Sequence, residues 1–338
     1  MFHQKQNRQP KNSSLHWLSS LDITPQHIEM LPEHADTRAY FRIRQENSTS
    51  ILVESNKPES DCQYYQAITE AHLKAKLPVP NILAAQIGTT NSTFLITDFG
   101  DLTLLNALND PQHFDQNQLY QASINLIHQY QKSQLDSQTT LSRFDSNLAL
   151  KQMLTGLERF SQTHDISVNF NKIETTLIYL ANFWKALPTA PTHVDFHSAN
   201  IMIKKHHDPC NSLQLGLLDY QDCIIGPINY DLVSLITDHY YEISWSQRLE
   251  WIHQFYDTIS HRCPNLTRQY FLTSCYAVTL QRHLKNIGIF SILATQGKSS
   301  YGQLIPKMLK VIETCCYQLP KTDGLRALCS SMSMLHHD

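Results

Sequence analysis

No stretch of this 338-residue chain approaches the roughly 18 consecutive apolar residues that crossing a bilayer requires, so no helical span is expected. The opening residues, MFHQKQNRQPKNSS, also lack the apolar segment of a signal peptide. An excess of one charge is missing too: 27 Lys and Arg stand against 30 Asp and Glu, giving a net −3 mixed along the chain. That balance points away from a nucleic-acid or anionic-membrane surface. The 18 His add little positive charge near neutral pH. Eight cysteines (Cys62, Cys210, Cys223, Cys263, Cys275, Cys315, Cys316 and Cys329) show no CxxC spacing, and reduced thiols in the cytoplasm are expected. Repeats and low-complexity linkers are absent. What is present is an ordinary globular composition, 41% apolar, in a chain long enough for one large core or two lobes.

The most informative stretch runs from His193 to Asp222: HVDFHSAN, a short apolar strand, a turn, a second strand, then LLDYQD. Asp195 followed five positions later by Asn200, with Asp219 at the end of the strand LGLL, matches the arrangement used in kinase-type phosphoryl transfer. There, one carboxylate accepts the proton of the attacking hydroxyl, while an amide oxygen and a second carboxylate hold Mg²⁺ against the nucleotide phosphates. Asn supplies a neutral oxygen where a second adjacent carboxylate would repel. Asp, Pro and Asn in KKHHDPCN make a hairpin that folds Asp219 back beside Asn200. Asp231, opening the run LVSLI, is placed to cap a helix and to hold the catalytic loop from below. Two rivals stand beside this reading. Asp195 and Asp219 can simply cap turns. Alternatively His193, Asp195 and His197 alternate, which on a strand would bring them to one side as a hydrolase metal site.

Along the chain, SLHWLSSL begins a short helix with Leu15, Leu18 and Leu21 on one face. Ile28 to Leu31, Ala39 to Arg44, Ser50 to Ser55, Ile82 to Gln86 and Thr93 to Thr97 read as five strands, with one helix from Glu59 to about Lys76 between the third and fourth. From Leu102 the chain is helical apart from the hairpin. Tyr120, Ile124 and Ile127, then Leu148, Leu154 and Leu157, form core faces. These elements predict an α+β, two-lobed protein-kinase-like fold. A small antiparallel sheet lobe spans 1–97, a hinge 98–101 and a larger helical lobe 102–318, with a weakly ordered tail over 319–338. Asp98-Phe99-Gly100 spells a familiar kinase tripeptide, yet it occupies the hinge, and Asp219-Tyr220-Gln221 takes the metal role. The backbone of residues near Ile96, Thr97, Asp98 and Phe99 is the expected partner of an adenine edge. Gly297-Lys298-Ser299 resembles the end of a P-loop but has Ile292 where that motif needs Gly.

RAYFRI (38 to 43), ITDFGDLTLL (96 to 105), HVDFHSANIM (193 to 202), LLDYQDCIIGPINYDLVSLITDHY (217 to 240) and LQRHLKNIGIF (280 to 290) resemble segments of the aminoglycoside-phosphotransferase-like kinases. Within that family the chain is most similar to the anomeric kinases that phosphorylate N-acetylmuramate and N-acetylglucosamine in cell-wall recycling. The resemblance implies ATP and Mg²⁺ as cofactors, Asp195 as catalytic base, Asn200 and Asp219 as metal ligands, and His193 and Asp231 as supports of the catalytic loop. It implies a small-molecule amino sugar as acceptor, with Asp222, Arg282 and Lys285 on the substrate side. On a helix Arg282 and Lys285 share a face, so either the pair presents a basic patch to an acidic sugar or Arg282 pairs with an acidic residue inside the helical lobe. The departures are informative. No Gly lies between Pro32 and Arg38, and the third strand carries Val53 and Glu54 where related kinases place a phosphate-binding Lys. Arg38 is the expected replacement, ahead of Arg42, and the alternative is that both are solvated strand residues. Val194 and Ala199 also stand where related sequences often carry Arg. A kinase for cationic antibiotics on the same fold and a nucleotide-binding pseudokinase are the alternatives.

Overall fold

The structure is a computed structural model that describes residues 8–32, 38–135, 140–204 and 213–334. Its chain divides into two compact units. The first runs to Leu102 and takes in Met202–Gln221; the second holds the remaining described residues.

In the first unit α1 (Asn12–Ser20) leads into β1 (His27–Met30), β2 (Ala39–Arg44) and β3 (Thr49–Ser55). Next come α2 (Glu59–Lys74), β4 (Ile82–Gln86) and β5 (Ser92–Thr97). The strands pair antiparallel in the order β1-β2-β3-β5-β4. Alternation along each strand sends one set of side chains inward, and the register aligns Phe41, Leu52 and Leu95 across three strands. With Ile43 and Leu18 they form one buried cluster, against which Leu15 and Trp17 of α1 also pack. Leu21 does not join them. It lies past the end of α1 and is exposed, because the helix stops at Ser20. Ser14 Oγ and Lys11 N both donate to the buried Glu54 carboxylate at 2.7 Å, so Glu54 anchors the start of α1. β7 (Ile201–Lys204) and β8 (Gln214–Leu217) form a two-stranded sheet; the connecting turn predicted over KKHHDPCN lies outside the described residues.

Among its described residues the second unit is helical apart from a short strand pair, β6 (Thr189–Thr192) against β9 (Ile224–Pro227), that the sequence patterns do not announce. Four-residue strands containing Pro191 and Pro227 carry little strand signal. The long helices Ser146–His164 and Arg268–Thr295 cross at Gly156 and Gly288: a Cβ at either position would run into the backbone of the other helix. That crossing turns Ala149, Met153, Gly156, Leu157 and Phe160 inward, so the buried face is offset from the predicted Leu148, Leu154, Leu157 stripe. A helix, Asp323–Met334, stands where a weakly ordered tail is expected. Leu325, Cys329 and Met332 are fully buried at helical spacing, a stripe hidden by its Cys and Met. Among the described residues no helix is long and apolar enough to cross a membrane.

Candidate active site

β6 ends at Thr192, and the chain then leaves extended geometry: Val194 has φ +78°, and Ser198–Asn200 is a single 3-10 turn. The loop is fixed from three sides. Both Asp231 oxygens accept backbone hydrogen bonds, from His193 N at 2.8 Å and Val194 N at 3.0 Å. Arg282 Nη1 donates to Val194 O at 2.8 Å, with its guanidinium 4.9 Å from the Tyr230 ring. Asp238 accepts from Ser198 N at 2.8 Å and from Ser198 Oγ. Asp231 itself is fully buried, and burial pushes its carboxyl up to about 7 against the pull of the two N–H donors. It lies in the first turn of the Tyr230–Ile236 helix; the capping position predicted for it belongs to Asn229.

Asp195 sits in this loop. Burial alone would raise its carboxyl, but Lys285, His197, Arg282 and His193 outweigh it and hold the pKa below the ordinary range. The side chain is therefore an ionised acceptor at neutral pH. Asn200 Nδ2 donates to Asp195 O at 3.1 Å, which commits the amide nitrogen and leaves the oxygen as the atom that can meet a cation. The structure thus gathers His193, Asp195, Asn200, Asp231, Arg282 and Lys285 within one unit. Asp222 is exposed at the start of the stretch that returns to that unit. Arg282, predicted to face an acidic substrate, is 3% exposed and committed to Val194. The alternation argument for a hydrolase site fails, because residues 193–197 are not a strand. His193 is fully buried with its ring edge-on to Tyr130 and Phe196. No cluster of three potential metal-binding His, Cys, Asp or Glu residues occurs among the described residues.

In the first unit Asp219 follows β8, exposed, in the left-handed region (φ +59°), and its carboxylate accepts from Gln221 Nε2 at 2.6 Å. Its neighbour Tyr220 is buried, hydrogen-bonded to Thr69 of α2 at 2.8 Å and stacked on Tyr65. Arg38 is also buried, 4.9 Å from the same Tyr65 ring. Arg42 is not available to phosphates: it donates to Asp98 at 2.7 Å, to Asp101 and to Gly100 O. Burial would push Asp98 up, but Arg42 and the Gly100 N–H hold it lower than usual. In the stretch that begins at Ile96, Thr97 N is bonded to Asn81 O and Gly100 N to Asp98 Oδ1. The Phe99 ring packs over Gly216, with Lys204 Nζ 3.8 Å from its centre. Sequence reasoning missed the Thr69–Tyr220 and Lys204–Phe99 contacts, since nothing local signals either one.

Comparison with known proteins adds three findings. Residues 27–263 match the model of the phosphotransferase enzyme family. Curated relatives called N-acetylmuramate/N-acetylglucosamine kinase include one from Pseudomonas aeruginosa, 24% identical over 90% of this chain and 88% of its own length. Another, from Neisseria meningitidis, is 26% identical over 87% of each. Among solved structures, a spectinomycin phosphotransferase in complex with ADP and spectinomycin superposes with a TM-score of 0.62 at 12% identity, covering 92% of this chain and all of that one. An aminoglycoside phosphotransferase with AMP-PNP and hygromycin B gives 0.60 at 10% identity, over 89% of this chain and 98% of that one.

Proposed function

The chain belongs to the phosphotransferase enzyme family, and from that premise we propose that it moves the γ-phosphoryl group of ATP, with Mg²⁺, to the anomeric hydroxyl of N-acetylmuramate or N-acetylglucosamine, a step of cell-wall recycling. The observation that carries this reading is the ionised Asp195 on a loop strapped by Asp231, Arg282 and Asp238. A fixed carboxylate of that kind accepts the hydrogen bond of the acceptor hydroxyl and orients its oxygen for attack. Asn200 and Asp219 are the proposed Mg²⁺ ligands, and their donor set, one neutral amide oxygen and one carboxylate, suits a hard cation. Bound Mg²⁺ supplies the positive charge that neutralises the phosphates. Arg38 is the proposed phosphate partner in place of the absent strand Lys, and the backbone of Ile96, Asp98 and Phe99 the proposed contact of adenine.

An antibiotic kinase of the same fold is the second reading. The groups that act on Asp195 are Lys285, His197, Arg282 and His193, a setting that suits a neutral or anionic acceptor over a polycation. The deciding experiment is ADP release over a panel of free sugars that includes both N-acetylated amino sugars and an aminoglycoside. Turnover on the aminoglycoside alone would replace the amino-sugar reading, and ATP binding without turnover on any acceptor would make the chain a pseudokinase. Asp195→Asn should lower kcat by roughly 10²- to 10⁴-fold with ATP binding nearly intact; near-normal turnover would remove Asp195 from the mechanism.

A further inference from the structure

Asp219, in the first unit, stands on a backbone that its own side chain does not explain. Its φ of +59° lies in a region that residues with a side chain enter at a cost, Asp more readily than most, and keep where the flanking chain holds them. The carboxylate is exposed, and its one hydrogen-bond partner among the described residues is Gln221, which belongs to the same turn and moves with it. The anchors therefore lie on either side. Before Asp219, Leu217 is fully buried and its N–H donates to Pro78 O at 2.7 Å. After it comes Tyr220, also buried.

Tyr220 enters a socket on α2. Tyr65, Thr69 and His72, at positions i, i+4 and i+7, share one face of that helix, and all three are buried. The Tyr220 ring stacks on Tyr65 at 6.1 Å and tilts against His72 at 4.8 Å. Its hydroxyl lies 2.8 Å from Thr69 Oγ1. Thr69 commits its only hydroxyl proton to Tyr65 O at 2.7 Å, so in the bond between the two side chains Tyr220 donates and Thr69 accepts. Apolar side chains would fill this contact as well. What the hydroxyl pair adds is direction: a hydrogen bond weakens steeply once its angle or length is off, whereas apolar burial has no preferred orientation.

On the reading of Asp219 as a metal ligand, we propose that Tyr220 and Thr69 are positioning residues for Mg²⁺. The bond to α2 fixes the backbone next to Asp219 and with it the place of the carboxylate. A carboxylate that drifts serves Mg²⁺ poorly, because this ion demands near-ideal octahedral geometry. Nucleotide contacts made without the metal do not depend on that bond.

The test is calorimetric titration with AMP-PNP, in excess Mg²⁺ and again in EDTA, so that the ratio of the two affinities reads the metal's contribution without turnover. Tyr220→Phe keeps the ring and removes the bond; the ratio should fall by about 2- to 10-fold while the affinity in EDTA stays at the parent value. Thr69→Val removes the same bond from the other side, should lower the ratio at least as far, and carries the test if Tyr220→Phe does not fold. Because the two share one bond, the double variant should fall no further than Thr69→Val alone. Thr69→Ser, which keeps the hydroxyl, should stay at the parent ratio. A lower Tm with an unchanged ratio in Tyr220→Phe and Thr69→Val would make the pair structural only and overturn the proposal. Asp219→Asn separates that failure from failure of the metal reading: it should abolish the Mg²⁺ advantage, and an advantage that survives it would overturn both.

Discussion

Val194 carries a β-branched side chain at φ +78°, a conformation that costs on the order of 1 to 3 kcal/mol and persists only where neighbours over-determine it. Asp231 takes its N–H and Arg282 its carbonyl, so these two side chains hold the backbone on which Asp195 stands. Arg282→Ala is therefore expected to lower kcat by roughly 10- to 100-fold on N-acetylmuramate and N-acetylglucosamine alike, through loss of a charged hydrogen bond. A loss confined to the acidic sugar, read from kcat/KM on both, would return Arg282 to substrate recognition. The spacing of Asp195 and Asn200 is legible in the sequence, but the strap is not, because Arg282 lies 88 positions from Val194. His283 makes a separate prediction about pH. Burial pushes its pKa from 6.5 down to about 3, so the native state holds it neutral. As pH falls below 6.5 the unfolded chain gains a proton that the folded chain refuses, and stability is lost, by about 2 kcal/mol at pH 5. His283→Leu should show a smaller drop in Tm between pH 7 and pH 5 than the parent chain; an identical drop would mean that His283 is not what acid attacks.

Among elements, the passage from β5 into the stretch around Gly100 depends on Arg42, which reaches from β2 to Asp98, Asp101 and Gly100 O. The Asp98 side chain is only 5% exposed. Arg42→Met would leave that carboxylate buried and unpaired, and about 3 to 5 kcal/mol of stability should be lost in urea denaturation. Replacing Asp98 by Leu as well should restore much of it, since a buried pair removed entirely is often nearly neutral; no recovery in the double variant would show that Asp98 is not the group at fault. The five strands and α2 are readable because alternation and flanking turns coincide there. Val53 and Glu54 on β3 also show why a phosphate-binding Lys is missing: Val53 belongs to the core, and Glu54 is spent on α1. β6 and β9 escape the patterns because their prolines and their length speak against strands. The Asp323–Met334 helix escapes them because its buried stripe is Leu, Cys and Met.

For the whole molecule, the two-part architecture follows from the sequence, since a strand-rich third precedes a helix-rich remainder. What the patterns do not show is that LQRHLKNIGIF owes its Gly288 to a partner glycine far upstream. Alanine is favoured over glycine inside a helix by about 1 kcal/mol. Gly156→Ala and Gly288→Ala should nonetheless each lower stability, by roughly 3 kcal/mol or more, because the added methyl meets backbone that cannot step aside. Circular-dichroism melting of the two variants checks this, and a Tm at or above the parent's would show that the helices separate freely. The crossing also sets a timetable. The Ser146–His164 helix leaves the ribosome roughly 130 residues before the partner that covers Gly156, at a synthesis rate of about 5 to 20 residues per second. For many seconds the face that the Arg268–Thr295 helix will cover lies open, so a nascent chain arrested before residue 268 should be bound by chaperones and cut by proteases that leave the finished protein alone.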